Sequence, residues 1–140
     1  MKDYADDILY WQLMQVAFRA RHGLMELAEN HQLTMVQLQA LGIVKPGTAV
    51  PMNFLATILL CDASNITGIV DRLLQRKLIE RTEKPEDRRV KMISLTPEGE
   101  KLRRQIFSEF PDYELPQFKE LTEDERNCLK NILTKVLGLK

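Results

Sequence analysis

Cysteine is scarce in this chain: Cys61 and Cys128 are the only two in 140 residues. A pair so far apart, without secretory features, is expected to be two free thiols that pack as small apolar side chains. Cys61 stands just before an expected helix start, but no redox partner accompanies it. Histidine is equally scarce. His22 and His31 are too few to argue for a metal, so no metal or cofactor is expected. There is no Ser–His, Cys–His or paired-carboxylate motif and no glycine-rich phosphate loop, which speaks against an enzyme. No apolar run approaches the ~18 residues of a membrane span. The first seven residues are acidic and have no secretory core behind them. The expectation is a cytoplasmic protein with no membrane partner.

The composition is that of a folded domain, 44% hydrophobic and 29% charged. Net charge is zero, but the charges are unevenly placed. Residues 1–63 carry four basic and six acidic side chains, and residues 92–140 carry eight and nine. Residues 64–91 carry eight and five, a balance of +3. A local positive footprint therefore exists on a neutral chain.

That footprint lies within residues 62–96, which read as an amphipathic helix followed by a charged hairpin. Ile66, Ile69, Val70, Leu73 and Leu74 recur at helical spacing and form the buried stripe. The opposite face carries Ser64, Gly68, Asp71, Arg72 and Gln75, flanked by Asn65 and Thr67. These are small and polar groups suited to close approach and hydrogen bonding, and DNA is the partner they suggest.

Around this stretch the pattern is mainly helical. Residues 3–30 read as one long helix with two apolar stripes. Tyr4, Ile8, Trp11, Phe18, His22 and Met25 line one side, and Leu13, Val16, Ala17, Ala20, Leu24 and Leu27 line the other. A surface helix has one stripe, so two imply cover from both sides, economically by a second copy of the chain. Thr34 with Gln37 predicts a capping box and a helix carrying Val36, Leu38, Leu41 and Ile43. Residues 45–48 are a turn, and Ala49-Val50 is a stub of strand. Pro51 suits the first turn of a helix over Met52–Leu60. With only Cys61 between, Asp62 caps the next helix, expected over 62–77. Such a tight pair is a helix-turn-helix arrangement. Strands follow at 78–84 and 90–95 around a tip at 85–89. Thr96-Pro97-Glu98 starts a further helix, which Pro111 should end or kink. Pro116 adds another interruption. Thr122 with Glu125 caps a last helix carrying Leu129, Ile132, Leu133, Val136 and Leu137.

The residues Ser64-x-x-Thr67-x-x-Val70-x-Arg72-Leu73, then Leu78-Ile79-x-Arg81, Asp87-Arg88-Arg89 and Leu95-Thr96-Pro97-Glu98-Gly99 resemble the winged helix-turn-helix of MarR-type transcriptional regulators. The likeness is close from about Leu33 to Arg104 and architectural outside it. It implies a mainly α, winged helix-turn-helix fold with N- and C-terminal dimerisation helices. The corresponding division is 1–30, 31–96 and 97–140. It further implies a homodimer on a pseudo-palindromic operator in double-stranded DNA, acting as a repressor. The 62–77 helix would enter the major groove and the 85–89 wing the minor groove, and a small aromatic or phenolic effector would release the complex. Two departures stand out. The family usually has Gly where this chain has Lys77, so Lys77 is expected to carry left-handed strain. The first helix lacks the cysteine of the family's oxidant sensors.

The candidate DNA-binding residues are Ser64, Asn65, Thr67, Gly68, Arg72, Arg76, Arg88, Arg89 and Lys91. Asn pairs well with adenine, and Thr meets the thymine methyl. Gly68 costs a mid-helix position about 1 kcal/mol against Ala, which close approach to DNA would justify. Arg76, Lys77, Arg88 and Lys91 are expected on phosphates. By the resemblance, Asp87 positions Arg89 for the minor groove, where Arg is favoured. Trp11, Phe18 and His22 are effector-pocket candidates, with ordinary interface packing as the plainer role. The rival to DNA is a winged-helix module that docks a protein.

Overall fold

A computed structural model describes residues 4–138, with side chains from residue 8 onward. The helix start expected at residue 3 and the placing of the Tyr4 side chain lie outside the described residues. The element order is α1 (Tyr4–Asn30), α2 (Met35–Ile43), β1 (Ala49–Pro51), α3 (Met52–Ile58), α4 (Ala63–Gln75), β2 (Ile79–Lys84), β3 (Asp87–Leu95), α5 (Pro97–Tyr113), a 3-10 turn (Pro116–Glu120) and α6 (Glu123–Val136). The fold is thus mainly α with a small antiparallel sheet. No single described helix is long and apolar enough to cross a membrane.

The chain forms two compact units, residues 21–113 and residues 4–20 with 114–138. The larger one owns a hydrophobic core. Leu27 and Ala28 at the end of α1, Leu38 and Leu41 of α2, Leu55 of α3, Ile66, Val70 and Leu73 of α4, Ile93 of β3 and Ile106 of α5 are all buried. Ile69 and Leu74, expected in the same stripe as Ile66, are half-buried at its edges, as are Val36 and Ile43 of α2. The end of α1 and all of α5 thus belong with the winged core, so these units do not coincide with a division at 30/31 and 96/97.

Local chemistry fixes most helix ends. The Thr34 hydroxyl accepts from Gln37 N at 3.2 Å while Gln37 Oε1 accepts from Thr34 N at 2.9 Å. This is the expected capping box, and it satisfies two otherwise orphaned donors. Three helices end on a non-glycine left-handed residue: Gln32, Leu60 and Lys77, with φ of 56°, 53° and 57°. In each case the next N–H reaches back to a carbonyl of the last turn: Leu33 to Ala28, Cys61 to Ala56 and Leu78 to Leu73. This is the closure that glycine normally serves, here held at about 1 kcal/mol of strain apiece. It shortens α3 against expectation. That helix stops at Ile58, and Leu60, 94% exposed, lies in the turn.

Pro51 also differs from expectation. It is the last residue of β1, paired with Met92, and caps α3 from outside the helix. An edge strand tolerates a missing N–H. β3 is the central strand, in the order β1-β3-β2. The hairpin tip is narrower than 85–89. Lys84 pairs with Asp87, leaving Pro85-Glu86 as the turn, with an irregularity at Glu83/Lys84. Neither turn residue has positive φ. The primed turns that match strand twist are thereby excluded, and the irregularity takes up the mismatch. Asp87, Arg88 and Arg89 therefore start β3 rather than forming the tip. Pro111 neither ends nor leaves α5: it sits inside its final turn, and the helix closes at Tyr113.

Thr96 joins three elements. Its hydroxyl accepts from Gly99 N at 3.0 Å and donates to Lys77 O at 2.6 Å. Gly99 is obligatory there, because a Cβ would stand 1.9 Å from Leu78 O.

In the smaller unit no described residue is buried. The Thr122–Glu125 capping box starts α6 as expected. Arg126 reaches Glu114 at 3.5 Å and also donates to the Phe118 carbonyl. Its apolar side chains face outward: Trp11 is 65% exposed, Phe18 75% and Val136 66%. Cys61 and Cys128 are both free thiols.

Candidate nucleic-acid interface

The outward face of α4 is built from its cap upward. The Asp62 carboxylate accepts from Asn65 N at 2.8 Å and from the Ser64 hydroxyl at 2.9 Å. Those bonds, the Asn65 N–H first, hold the Asp62 carboxyl below its ordinary value, so it stays ionised where it completes the helix start. Ser64 thus does tune the helix start, with its oxygen lone pairs still outward. The Thr67 hydroxyl bonds back to Ala63 O at 2.8 Å. Ser64, Asn65, Thr67, Gly68 and Arg72 are all exposed. A Cβ on Gly68 would meet nothing within 4 Å. No contact inside the chain requires that glycine.

On the wing, Asp87 Oδ1 accepts from Arg89 N at 3.1 Å and from Arg89 Nε at 3.2 Å. The Arg89 side chain is nevertheless 93% exposed, so it is aimed but not covered. Arg88, beside it, is exposed as well. Lys91 has a task within the sheet, donating to Glu83 across the strands at 2.9 Å. An exposed pair of this kind contributes little stability and leaves Lys91 able to exchange partners. Arg81, two residues into β2, reaches Asp71 of α4 at 3.4 Å and ties the wing to the helix.

Two open clefts gather these residues. Thr67, Arg89 and Lys91 line one of about 360 Å³, together with Met52, Asn53 and Val90. Ser64, Asn65, Gly68 and Arg72 border another, with Thr34 and Gln37 of α2 across from them. Asn53, Thr34 and Gln37 are neighbours that sequence reasoning missed. Thr34 and Gln37 were legible as a cap, but not as the wall of a groove, since that depends on how α2 crosses α4.

Arg76 departs from its expected place. Its guanidinium turns back to the C-terminal end of α1, donating to Gln32 O at 2.9 Å and His31 O at 3.2 Å. Trp11, Phe18 and His22 lie exposed along α1 and line neither of these clefts.

Two short helices meeting at a tight turn, the second with a polar outer face, followed by a two-stranded wing, define a winged helix-turn-helix protein. The MarR family profile matches residues 33–91. The multiple antibiotic resistance protein MarR of Salmonella typhimurium is 32% identical over 107 residues, 75% of this chain and 74% of that protein. The HTH-type transcriptional regulator YsmB of Bacillus subtilis is 33% identical over 73 residues, 52% of this chain and 50% of YsmB. The match therefore spans about half of that relative's length. Among solved structures, a mutant of E. coli MarR complexed with operator DNA is similar with a TM-score of 0.72 and 25% identity, over 98% of this chain and 99% of that one. The chain belongs to the MarR family, a family of transcription regulators rather than enzymes.

Proposed function

We propose that this chain is a sequence-specific, DNA-binding transcriptional repressor that works as a homodimer in the cytoplasm. Residues 62–77 enter the major groove, and the wing places Arg89 in the adjacent minor groove. The observation that carries this reading is the shared cleft, lined both by Thr67 of α4 and by Arg89 of β3, with Asp87 accepting from the Arg89 Nε. A helix N-terminal half and a wing arginine on one side of a domain are what simultaneous contact with base edges and a narrow minor groove requires. The operator complex of the E. coli relative and the open space over Gly68 support the same reading. The outward apolar side chains of the smaller unit support dimerisation, since patches of this kind mark interaction sites.

The test is binding of duplexes that tile the DNA flanking the protein's own gene. Two half-sites about one helical turn apart are expected, with affinity that falls as salt rises. Arg89→Ala should weaken binding by about 1–3 kcal/mol. No salt-sensitive preference over random DNA would remove this function, and recovery of one protein partner without DNA would put a docking module in its place. Release by a small aromatic or phenolic effector, with Trp11, Phe18 and His22 as its candidate contacts, belongs to the same proposal. A panel of aromatic acids added to the DNA complex tests it.

A further inference from the structure

Arg76 is strongly basic, exposed and one residue beyond α4, so a phosphate contact is its obvious task. Its geometry says otherwise. Both terminal nitrogens are committed to main-chain carbonyls of the α1–α2 junction: Nη1 to Gln32 O at 2.9 Å and Nη2 to His31 O at 3.2 Å. Those carbonyls follow directly on the end of α1, where a helix collects partial negative charge and unsatisfied acceptors. The last turn of α1 has no basic residue of its own and carries Glu29 instead. Arg76 supplies from 44 residues away the cation that this helix end lacks. It also braces a junction that turns on Gln32 in the left-handed region.

The other side of the same segment is fixed as well. The Lys77 carbonyl accepts the Thr96 hydroxyl at 2.6 Å, and the Leu78 carbonyl accepts Thr96 N at 3.1 Å. The C-terminal end of α4 is thus gripped by the α1 end on one side and by the start of α5 on the other. α4 is a rod of about 20 Å. Its reading residues run from Arg72, one turn away, to Ser64, about 18 Å along the helix from residue 76, so a tilt at residue 76 moves the N-terminal reading side chains most.

We propose that Arg76 is a positioning residue for DNA recognition: its fork on the His31 and Gln32 carbonyls sets the angle of α4, and it does not serve as a phosphate contact. The inference rests on α4 reading DNA. Lysine separates the two roles, because it keeps a point charge for phosphate but cannot span two carbonyls with a planar fork.

The experiment measures wild type, Arg76→Lys and Arg76→Gln on duplexes tiled across the DNA flanking the gene and on a random duplex of equal length, over a salt series. Unfolding of each protein is followed in parallel. Positioning predicts that both variants lose about tenfold in preference for the specific duplex. Affinity for random DNA and the slope of log affinity against log salt should stay unchanged for Arg76→Lys. A phosphate role predicts that Arg76→Lys retains specific affinity, while Arg76→Gln loses about 0.9 from the slope on both duplexes; that result overturns the proposal. Lowered melting temperatures with the preference intact in both variants also overturn it, leaving a brace for stability alone. A wild-type protein without any preference sinks the DNA reading, and this role with it. A wild-type preference that Arg76→Lys keeps sinks this role alone.

Discussion

The two units differ in where their apolar side chains go. In residues 21–113 the chain closes a core, with Leu27, Leu41, Leu55, Leu73 and Ile93 at 2% exposure or less. In residues 4–20 and 114–138 nothing described is buried, yet tryptophan, phenylalanine, isoleucine and valine are as available there as in the core. The first unit buries enough apolar side chain to close a core and presents polar residues on the outward face of α4. The second leaves apolar surface uncovered, which is costly in water and becomes sensible when a second copy covers it. The lesson is a contrast in burial: one region closes a core of its own, and the other leaves apolar side chains exposed for the proposed homodimer to cover.

The largest expected effect tests the self-sufficient half. Leu41→Ala removes a side chain that is 1% exposed and should cost about 2–5 kcal/mol. Denaturant unfolding should show that loss regardless of protein concentration. Next comes the incomplete half. Trp11→Ala should weaken self-association by about 2 kcal/mol, or roughly 30-fold in dissociation constant, as read by sedimentation. The denaturant unfolding of the single chain should stay unchanged. If the two variants behaved alike, the contrast between the units would collapse.

Smaller effects sharpen the contrast inside the larger unit, between residues chosen for stability and residues chosen for the outward face. Lys77→Gly relieves the left-handed strain at φ 57° and should raise stability by about 1 kcal/mol, seen as a higher melting temperature. Gly68→Ala should raise stability by a similar ~1 kcal/mol, because its Cβ meets nothing, while weakening DNA binding in a gel-shift or anisotropy titration. The smallest effect concerns Glu109. Its carboxylate accepts from His31 Nε2 at 2.9 Å, and chiefly for that reason its carboxyl is held below the ordinary value. A depressed carboxyl stabilises the fold fully above the ordinary value of about 4.3 and loses that contribution as pH falls through the lowered one. Glu109→Gln should therefore be slightly less stable than wild type at neutral pH, and the gap should close in acid.

What could be read from sequence was local. The Thr34–Gln37 and Thr122–Glu125 caps involve four consecutive residues, and both formed as expected. The stripe of Ile66, Val70 and Leu73 follows from helical period alone. Lys77 stood out because the family that the sequence resembles usually has Gly at that position, and its φ is 57°. Gln32 and Leu60 have the same geometry but were not legible, since the demand appears only once the last helical turn and the chain beyond it are known. The wing was misplaced by the charges of residues 87–89, which look like a loop but are the start of a strand paired through Lys84 and Asp87. The pairing of β1 with β3 and the target of Arg76 lie more than forty residues away in sequence, and no periodicity encodes them. The Asp87–Arg89 hydrogen bonds span only two residues, within reach of a local reading.

The most direct measurement is a titration of the purified chain onto a fluorescent duplex from the DNA flanking its own gene, with stoichiometry and salt dependence read together. The account predicts two chains per duplex, a preference over random DNA of the same length, and affinity that falls linearly in log–log terms with salt. Saturation at one chain per duplex, or equal binding to both duplexes at every salt concentration, would contradict it.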